Sequence, residues 1–372
     1  MRAFGRRDPW LLLAVLALAA LGVLMVYSAS FDGGEQLWLA GPGLRQLVVA
    51  CVGVVAMFAL ATLDYRTLRR LGPPAYAGAV ALLVVVLVVG SSEFGAQRWI
   101  ALGAATFQPA EAAKLALALA LAAYMSSRPP RAIAVLASLG MLGVPLLLVL
   151  REPDAGTAFV LMGIWLSVAV AWGIGWRLLG GMLATALAFG PLMFALLVPG
   201  YQRERIAVFF DPGRDPLGSG FNLRQAELAL GSGGLTGRGL FTDAGSALDG
   251  VAARSSDFAF AHVGEALGML GGLLLLGLLA LVIWRGLQAA RLAPDAFGRL
   301  LAVGLTMTIF VQAFVHFAVN LRLLPATGIP LPFISQGGSS LLAMLIAAGV
   351  LQSIAAQRPA SPREQWRGER WR

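Results

Sequence analysis

Apolar residues run along this chain in blocks close to the length needed to cross a bilayer, separated by short polar connections. The blocks fall at Trp10–Ser30, Leu44–Leu63, Ala75–Gly90, Ala110–Met125, Ala132–Leu150, Ala155–Trp172, Trp176–Val198, Phe258–Trp284, Leu300–Arg322 and Ile334–Ala356. They predict an all-α polytopic membrane protein of about ten transmembrane helices, a single membrane domain over the whole chain. Ala110–Met125 is short for a span and is expected to be tilted or partly re-entrant. The first block follows Arg2, Arg6 and Arg7 as the core of a signal peptide would. It is long enough to span and further spans follow, so it reads as the first helix. One polar stretch breaks the pattern, a large loop over about 199–257 between the seventh and eighth helices. It is far longer than a connector requires, and it alternates Gly-Pro turns with Phe, Leu and Ile, which argues for order and for function.

Composition sharpens the class. The chain is 58% hydrophobic and 13% charged over 372 residues, a membrane signature. A net charge of +9 would suit nucleic acid in a soluble protein, but here the arginines sit between apolar blocks, and nucleic acid is excluded as a partner. Arginines fill alternate connections: Arg2, Arg6 and Arg7; Arg66, Arg69 and Arg70; Arg128 and Arg131; Arg177; Arg285, Arg291 and Arg299; and the tail over about 357–372. The positive-inside rule places these, and both termini, in the cytoplasm, and the large loop outside. Cys51 alone gives no intramolecular disulfide, and His262 and His316 are too scattered for a zinc site. No Gly-rich turn precedes Lys114, the chain's one lysine, so no P-loop is present.

Four polar constellations stand out against the bilayer. Glu111 and Lys114 share a helical face at a spacing of three, behind Gln97, Arg98 and Pro109. They read either as a structural ion pair or as the lining of a polar cavity in which Arg98 and Lys114 hold an anion such as a diphosphate. In the stretch Arg151–Ala158, Asp154 suits a helix cap. Asp257 lies where the large loop enters the next apolar helix, with Glu265 deeper in that helix; Asp257 is either an N-cap or a carboxylate whose raised pKa suits a general base. The stretch Asn320–Ser340 carries too many Pro and Gly residues for a continuous helix and reads as cavity-lining backbone or as a hinge.

At these residues the chain resembles the family of shape, elongation, division and sporulation (SEDS) proteins. The resemblance runs from about Asp8 to Ala355. It rests on Gln97-Arg98-Trp99 with Phe107-Gln108-Pro109 through Lys114, Pro153 through Thr157, Asp211-Pro212 through Gly220, Ser256-Asp257-Phe258 through Gly268, and Thr327-Gly328 through Ser340. Asp8-Pro9-Trp10 and Val26 through Ser30 resemble the division members (FtsW) more than the elongation members (RodA). The resemblance implies an inverting glycosyltransferase of the bacterial cytoplasmic membrane that polymerises lipid II at its outer face. It also implies a class B penicillin-binding protein and other division or elongation membrane proteins as partners.

The family's essential aspartate falls on Asp257, as the base that takes the proton of the attacking sugar 4-hydroxyl. Arg98, Glu111, Lys114, Arg203, Arg205, Glu265 and Ser339 are the candidate substrate-binding residues. No cofactor is assigned, although a diphosphate leaving group is compatible with Mg²⁺ or Mn²⁺. Two departures mark this chain. The family's Leu-Pro-Glu-x-His-Thr before the aspartate is Val251 through Ser256 here, and Ala266 and Gln336 stand where Glu and Tyr are usual. A lipid II flippase and a non-catalytic scaffold are the competing readings. The flippase would need cavities reachable from both sides, and the scaffold would leave Asp257 dispensable.

Overall fold

The structure is a computed structural model that describes residues 7–30, 41–93, 96–103, 105–182, 184–185, 188, 200–215, 218–241, 246–248, 250–251 and 253–357. Arg2, Arg6, Asp32, Glu35, most of Trp176–Val198 and the basic tail lie outside them. Eleven helices are labelled: α1 Pro9–Ala29, α2 Pro42–Thr62, α3 Leu68–Val89, α4 Pro109–Met125, α5 Ala132–Arg151, α6 Ala155–Trp172, α7 Gly200–Phe210, α8 Ser219–Ser232, α9 Ala259–Leu292, α10 Ala296–Asn320 and α11 Gly338–Ala356. Three short antiparallel strands, β1 Ser91–Glu93, β2 Ala96–Leu102 and β3 Ala105–Phe107, cross between α3 and α4.

Among the described residues, eight helices are long and apolar enough to cross a membrane. The expected Ala110–Met125 span is the helix α4, with 17 residues, and it is buried by its neighbours along most of its length. It packs against α3, α6 and α10, so small Ala residues and a neutralised pair can replace a lipid-facing apolar surface. The third helix starts at Leu68, ahead of the expected Ala75, and continues through Pro73 and Pro74. The carbonyls these prolines leave unbonded belong to Arg69 and Arg70, which are exposed and reach water.

The ninth helix is the long one, at 34 residues. At about 1.5 Å per residue it would reach roughly 50 Å, well beyond a hydrocarbon core of about 30 Å. It is broken at Gly268, whose φ of 67° and ψ of −164° no helix accepts. A segment of the large loop fills the break. Arg238 N and Gly239 N donate to the Glu265 and Ala266 carbonyls (2.9 and 3.1 Å), while Met269 N and Leu270 N donate to Gly234 O and Leu235 O (2.9 and 3.1 Å). A Cβ on Gly237 would sit 2.2 Å from Ala266 O, so the splice admits no side chain there.

The far end of the bundle is closed by a clasp. Asp8 caps α1 by accepting from the Trp10 and Leu11 amides (both 3.1 Å), and its carboxylate pairs with Arg285. Gln352, in the last helix, accepts from Asp8 N (3.0 Å) and donates to Asp8 O (2.8 Å). One large apolar core, built from α1 to α6 and α9 to α11, lies between this clasp and the loop end.

Candidate active site

Asp257 stands at the loop end, two residues before α9, in a corner held from several elements. Its amide bonds Ala253 O (3.0 Å), and Asn320 Nδ2 in α10 donates to its carbonyl (3.0 Å). Ser335 Oγ and Gln336 N donate to the Ser256 and Ser255 carbonyls (2.6 and 2.8 Å). Arg254 reaches the Ala29 carbonyl at the end of α1. The rewritten approach to Asp257 is therefore built into the fold by contacts from α1, α10 and the 325–337 stretch.

The capping role expected as one reading of Asp257 goes elsewhere. The residue at the N-cap of α9 is Phe258, and it offers no side-chain cap bond. The Asp257 carboxyl instead faces Gly328, where a Cβ would lie 3.6 Å from Asp257 Oδ2 and 3.9 Å from Arg98 Nη1. Gly328, at φ 71°, thus keeps the space between acid and guanidinium open. Burial pushes the Asp257 carboxyl above the usual aspartate range; the Ser256 hydrogen bond, Arg205 and Arg98 oppose that rise, and Asp154 adds to it.

The two arginines are aimed by backbone carbonyls. Arg98 Nε donates to Glu152 O (2.9 Å) and its Nη2 to Pro153 O, while Arg205 Nη1 donates to Ala326 O (3.0 Å). Carbonyl anchors orient a guanidinium without cancelling its charge. Arg203, two residues earlier on α7, is exposed. Asp154 takes up the cap expected of it, accepting from Thr157 N and Thr157 Oγ1 (both 2.9 Å). Beside it, Glu152 is buried with neither oxygen hydrogen-bonded. Burial, with Asp154 adding, raises its carboxyl to about 8 against the pull of Arg98, so it is neutral at pH 7. Within the Arg151–Ala158 stretch nothing in the sequence singled out Glu152.

Three of the candidate binding residues lie deeper. Lys114 Nζ donates to Glu111 Oε1 (2.8 Å) and to Gln312, with Lys114 and Glu111 only 1% and 2% exposed. Gln312 Nε2 donates on to Pro330 O (3.0 Å) and Ser340 Oγ (3.1 Å), which ties the pair to the irregular stretch before α11. Ser339 accepts from Gln108 N (3.0 Å), fixing the start of α4. Glu111 and Ser339 also edge an otherwise apolar cavity of about 430 Å³ lined by α3, α4 and α11. Glu265 is committed to the loop: it accepts from Ser246 Oγ (2.8 Å) and Ala247 N (2.7 Å), with Arg238 at 3.9 Å. The structure therefore gathers Asp257, Arg98 and Arg205, while Glu111, Lys114, Ser339 and Glu265 hold the frame around them.

Among the described residues, no group of three or more His, Cys, Asp or Glu side chains is placed to hold a metal ion. Asp154 is spent on Thr157 and Glu152 is enclosed, so neither is set to join Asp257 around a divalent ion.

A family model described as "Cell cycle protein" (FtsW, RodA, SpoVE) matches residues 9–360. The chain is 37% identical to "Peptidoglycan glycosyltransferase MrdB" of Escherichia coli (strain K12) over 353 residues, which are 94% of each chain. It is 33% identical to "Probable peptidoglycan glycosyltransferase FtsW" of Geobacter metallireducens over 97% of this chain and 98% of the relative. Its backbone matches a chain in a solved structure described as "Structural coordination of polymerization and crosslinking by a peptidoglycan synthase complex". The TM-score is 0.79 at 32% identity, covering 95% of this chain and 99% of the other. The matched span takes in every element that builds the corner around Asp257, and the chain belongs to the FtsW, RodA and SpoVE family of polytopic membrane proteins.

Proposed function

We propose that this protein is a peptidoglycan glycosyltransferase that polymerises lipid II at the outer face of the bacterial cytoplasmic membrane, with Asp257 as its general base. The observation that carries the reading is the convergence of Asp257 and carbonyl-anchored Arg98 on side-chain-free Gly328, with the charge of Arg205 also acting on Asp257. In the reaction Asp257 accepts the proton of the acceptor sugar's 4-hydroxyl as that oxygen bonds the donor's anomeric carbon. The bond from that carbon to the undecaprenyl diphosphate breaks on the opposite face, inverting the centre. Arg98 and Arg205 neutralise the charge gathering on the departing diphosphate, with Arg203 at the rim. The proton then leaves Asp257 to water.

Lys114 would reach substrate only by giving up Glu111 or Gln312, so the buried pair is assigned to the floor of the site. The apolar cavity beside Glu111 and Ser339 suits part of the polyprenyl chain. A similar chain comes from a structure described as coordinating polymerisation and crosslinking in a peptidoglycan synthase complex, which supports a crosslinking partner, taken here to be a class B penicillin-binding protein.

The test is polymerisation of purified lipid II by the protein with its penicillin-binding partner, the partner's transpeptidase blocked. Long glycan from wild type and none from folded, partner-bound Asp257→Asn is the expected result. Normal glycan from that variant overturns the assignment of the base; no glycan from either moves the flippase and scaffold readings ahead. The septal role is a narrower proposal resting on Asp8-Pro9-Trp10 and Val26 through Ser30. Depletion that gives filaments supports it, and rounded cells point to elongation.

A further inference from the structure

The first turn of α9 is capped by a neighbouring helix. Amides at a helix start have no partner within the helix and normally draw a Ser, Thr, Asp or Asn side chain from just upstream. Ser255, Ser256 and Asp257 are all available in sequence, yet none does this work. Ser255 Oγ donates to Gln336 Oε1 (2.6 Å) and Ser256 Oγ turns back to Ala253 O (3.4 Å). The acceptors come from α10: His316 Nε2 takes Phe260 N (3.4 Å) and Asn320 Oδ1 takes Ala261 N (3.1 Å).

Asn320 does more than accept. Its Nδ2 donates to the Asp257 carbonyl (3.0 Å) and to His316 O (2.9 Å), so one amide group grips both sides of the turn on which Asp257 stands. His316 carries its proton on Nδ1, which meets Ile329 O (2.8 Å), next to Gly328. Both side chains are buried, at 0% and 1% exposure, and four residues apart on one face of α10.

We propose that Asn320, with His316, is a positioning residue for the reaction: by capping α9 from α10 it relieves Asp257 of the cap and leaves that carboxyl turned toward Gly328 and Arg98. The inference rests on the reading of Asp257 as the base. Asp257 stands three residues before Phe260, at N-cap spacing, so without the donated cap its carboxyl can turn to the freed amides. A carboxylate that accepts backbone amides is stabilised in its charged form and is a weaker base. The other groups facing Asp257, namely Arg98 from β2, Arg205 from α7, Asp154 at the start of α6 and the neighbouring Ser256, are untouched by a change at Asn320.

The experiment follows lipid II polymerisation against pH by the full chain with its penicillin-binding partner, transpeptidase blocked, for wild type, Asn320→Ala, Asn320→Leu and Asp257→Asn. Leu keeps the bulk of the buried site, so one variant survives if the cavity left by Ala prevents folding. His316→Asn, which retains an acceptor, is measured beside His316→Leu. In the Asn320 variants kcat is expected to fall by about tenfold or more with little change in KM, the pattern of a group that acts in the transition state alone. The acidic limb of the rate profile is expected to move to lower pH, and His316→Asn to keep more activity than His316→Leu.

A loss of melting temperature with kcat and the acidic limb unmoved would show Asn320 to be structural only and overturn the inference. So would wild-type kinetics in every folded Asn320 and His316 variant while Asp257→Asn is dead, which leaves the base assignment standing. Normal polymerisation by Asp257→Asn removes the base assignment first, and this inference with it.

Discussion

Glu111 and Asp257 are both carboxylates set against an apolar bundle, and the chain treats them in opposite ways. Glu111 is matched at 2.8 Å by Lys114, which is further engaged by Gln312, and the pair is sealed from solvent. Asp257 is half-buried, the guanidinium of Arg98 beside it is tied to the Glu152 and Pro153 carbonyls, and the space before it is kept clear by Gly328. Charges that neutralise each other in place hold a fold; a charge anchored by carbonyls keeps its pull on a ligand. The difference lies in what each cation is bonded to, since both sites set a cation near a carboxylate.

The largest expected effect is at the available carboxylate. Asp257→Asn removes a general base, a loss of about 10²–10⁴ in rate, with folding and partner binding unchanged; single-turnover glycan synthesis checks it. At the neutralised pair the effect moves from rate to stability. Lys114→Met leaves Glu111 uncompensated and is expected to cost about 3–5 kcal/mol. The double change Glu111→Gln with Lys114→Met recovers most of it, and thermal unfolding of Glu111→Gln, Lys114→Met and the double in detergent measures the coupling. If Lys114→Met is instead as stable as wild type but fails to polymerise, the lysine is a substrate ligand and the contrast collapses.

Gly328→Ala sharpens the comparison at smaller cost. A left-handed φ and a Cβ between Asp257 and Arg98 are expected to cost about 1–3 kcal/mol of backbone strain, and the rate falls because the methyl fills the substrate's space. Smallest per pH unit is a titration effect at Glu152. The folded chain holds its proton up to about pH 8, whereas an unfolded glutamate releases it near 4.5. Between those values the folded state binds more protons, so stability falls as pH rises, by at most about 1.4 kcal/mol per pH unit. Glu152→Gln is expected to flatten that slope in unfolding curves taken from pH 5 to 8.

Much of this was legible in the chain before any coordinates. Hydrocarbon blocks gave the helices because a span must be apolar all round, and periodicity adds little to that signal. The Glu111–Lys114 pair was legible from its spacing. What the blocks hid was the break at Gly268: one apolar run holds two helical pieces, and the loop segment that fills the gap lies some thirty residues earlier in sequence. The trans cap left a trace, since Gln312, His316 and Asn320 recur every four residues along the otherwise apolar 309–320 part of α10. Each is uncharged, and a search for intramembrane charge passes over them. Glu152 was missed for the opposite reason, as an ordinary surface charge whose burial only the folded corner reveals.

The clasp at Asp8 bears on how the protein is made. Gln352, which holds both the amide and the carbonyl of Asp8, lies 344 residues downstream, so the first helix waits for its anchor until α11 has been made. A polypeptide interrupted anywhere before α11 keeps its entry turn unlatched. The start of the first helix is thus fastened late, by a part of the chain that enters the membrane long after it.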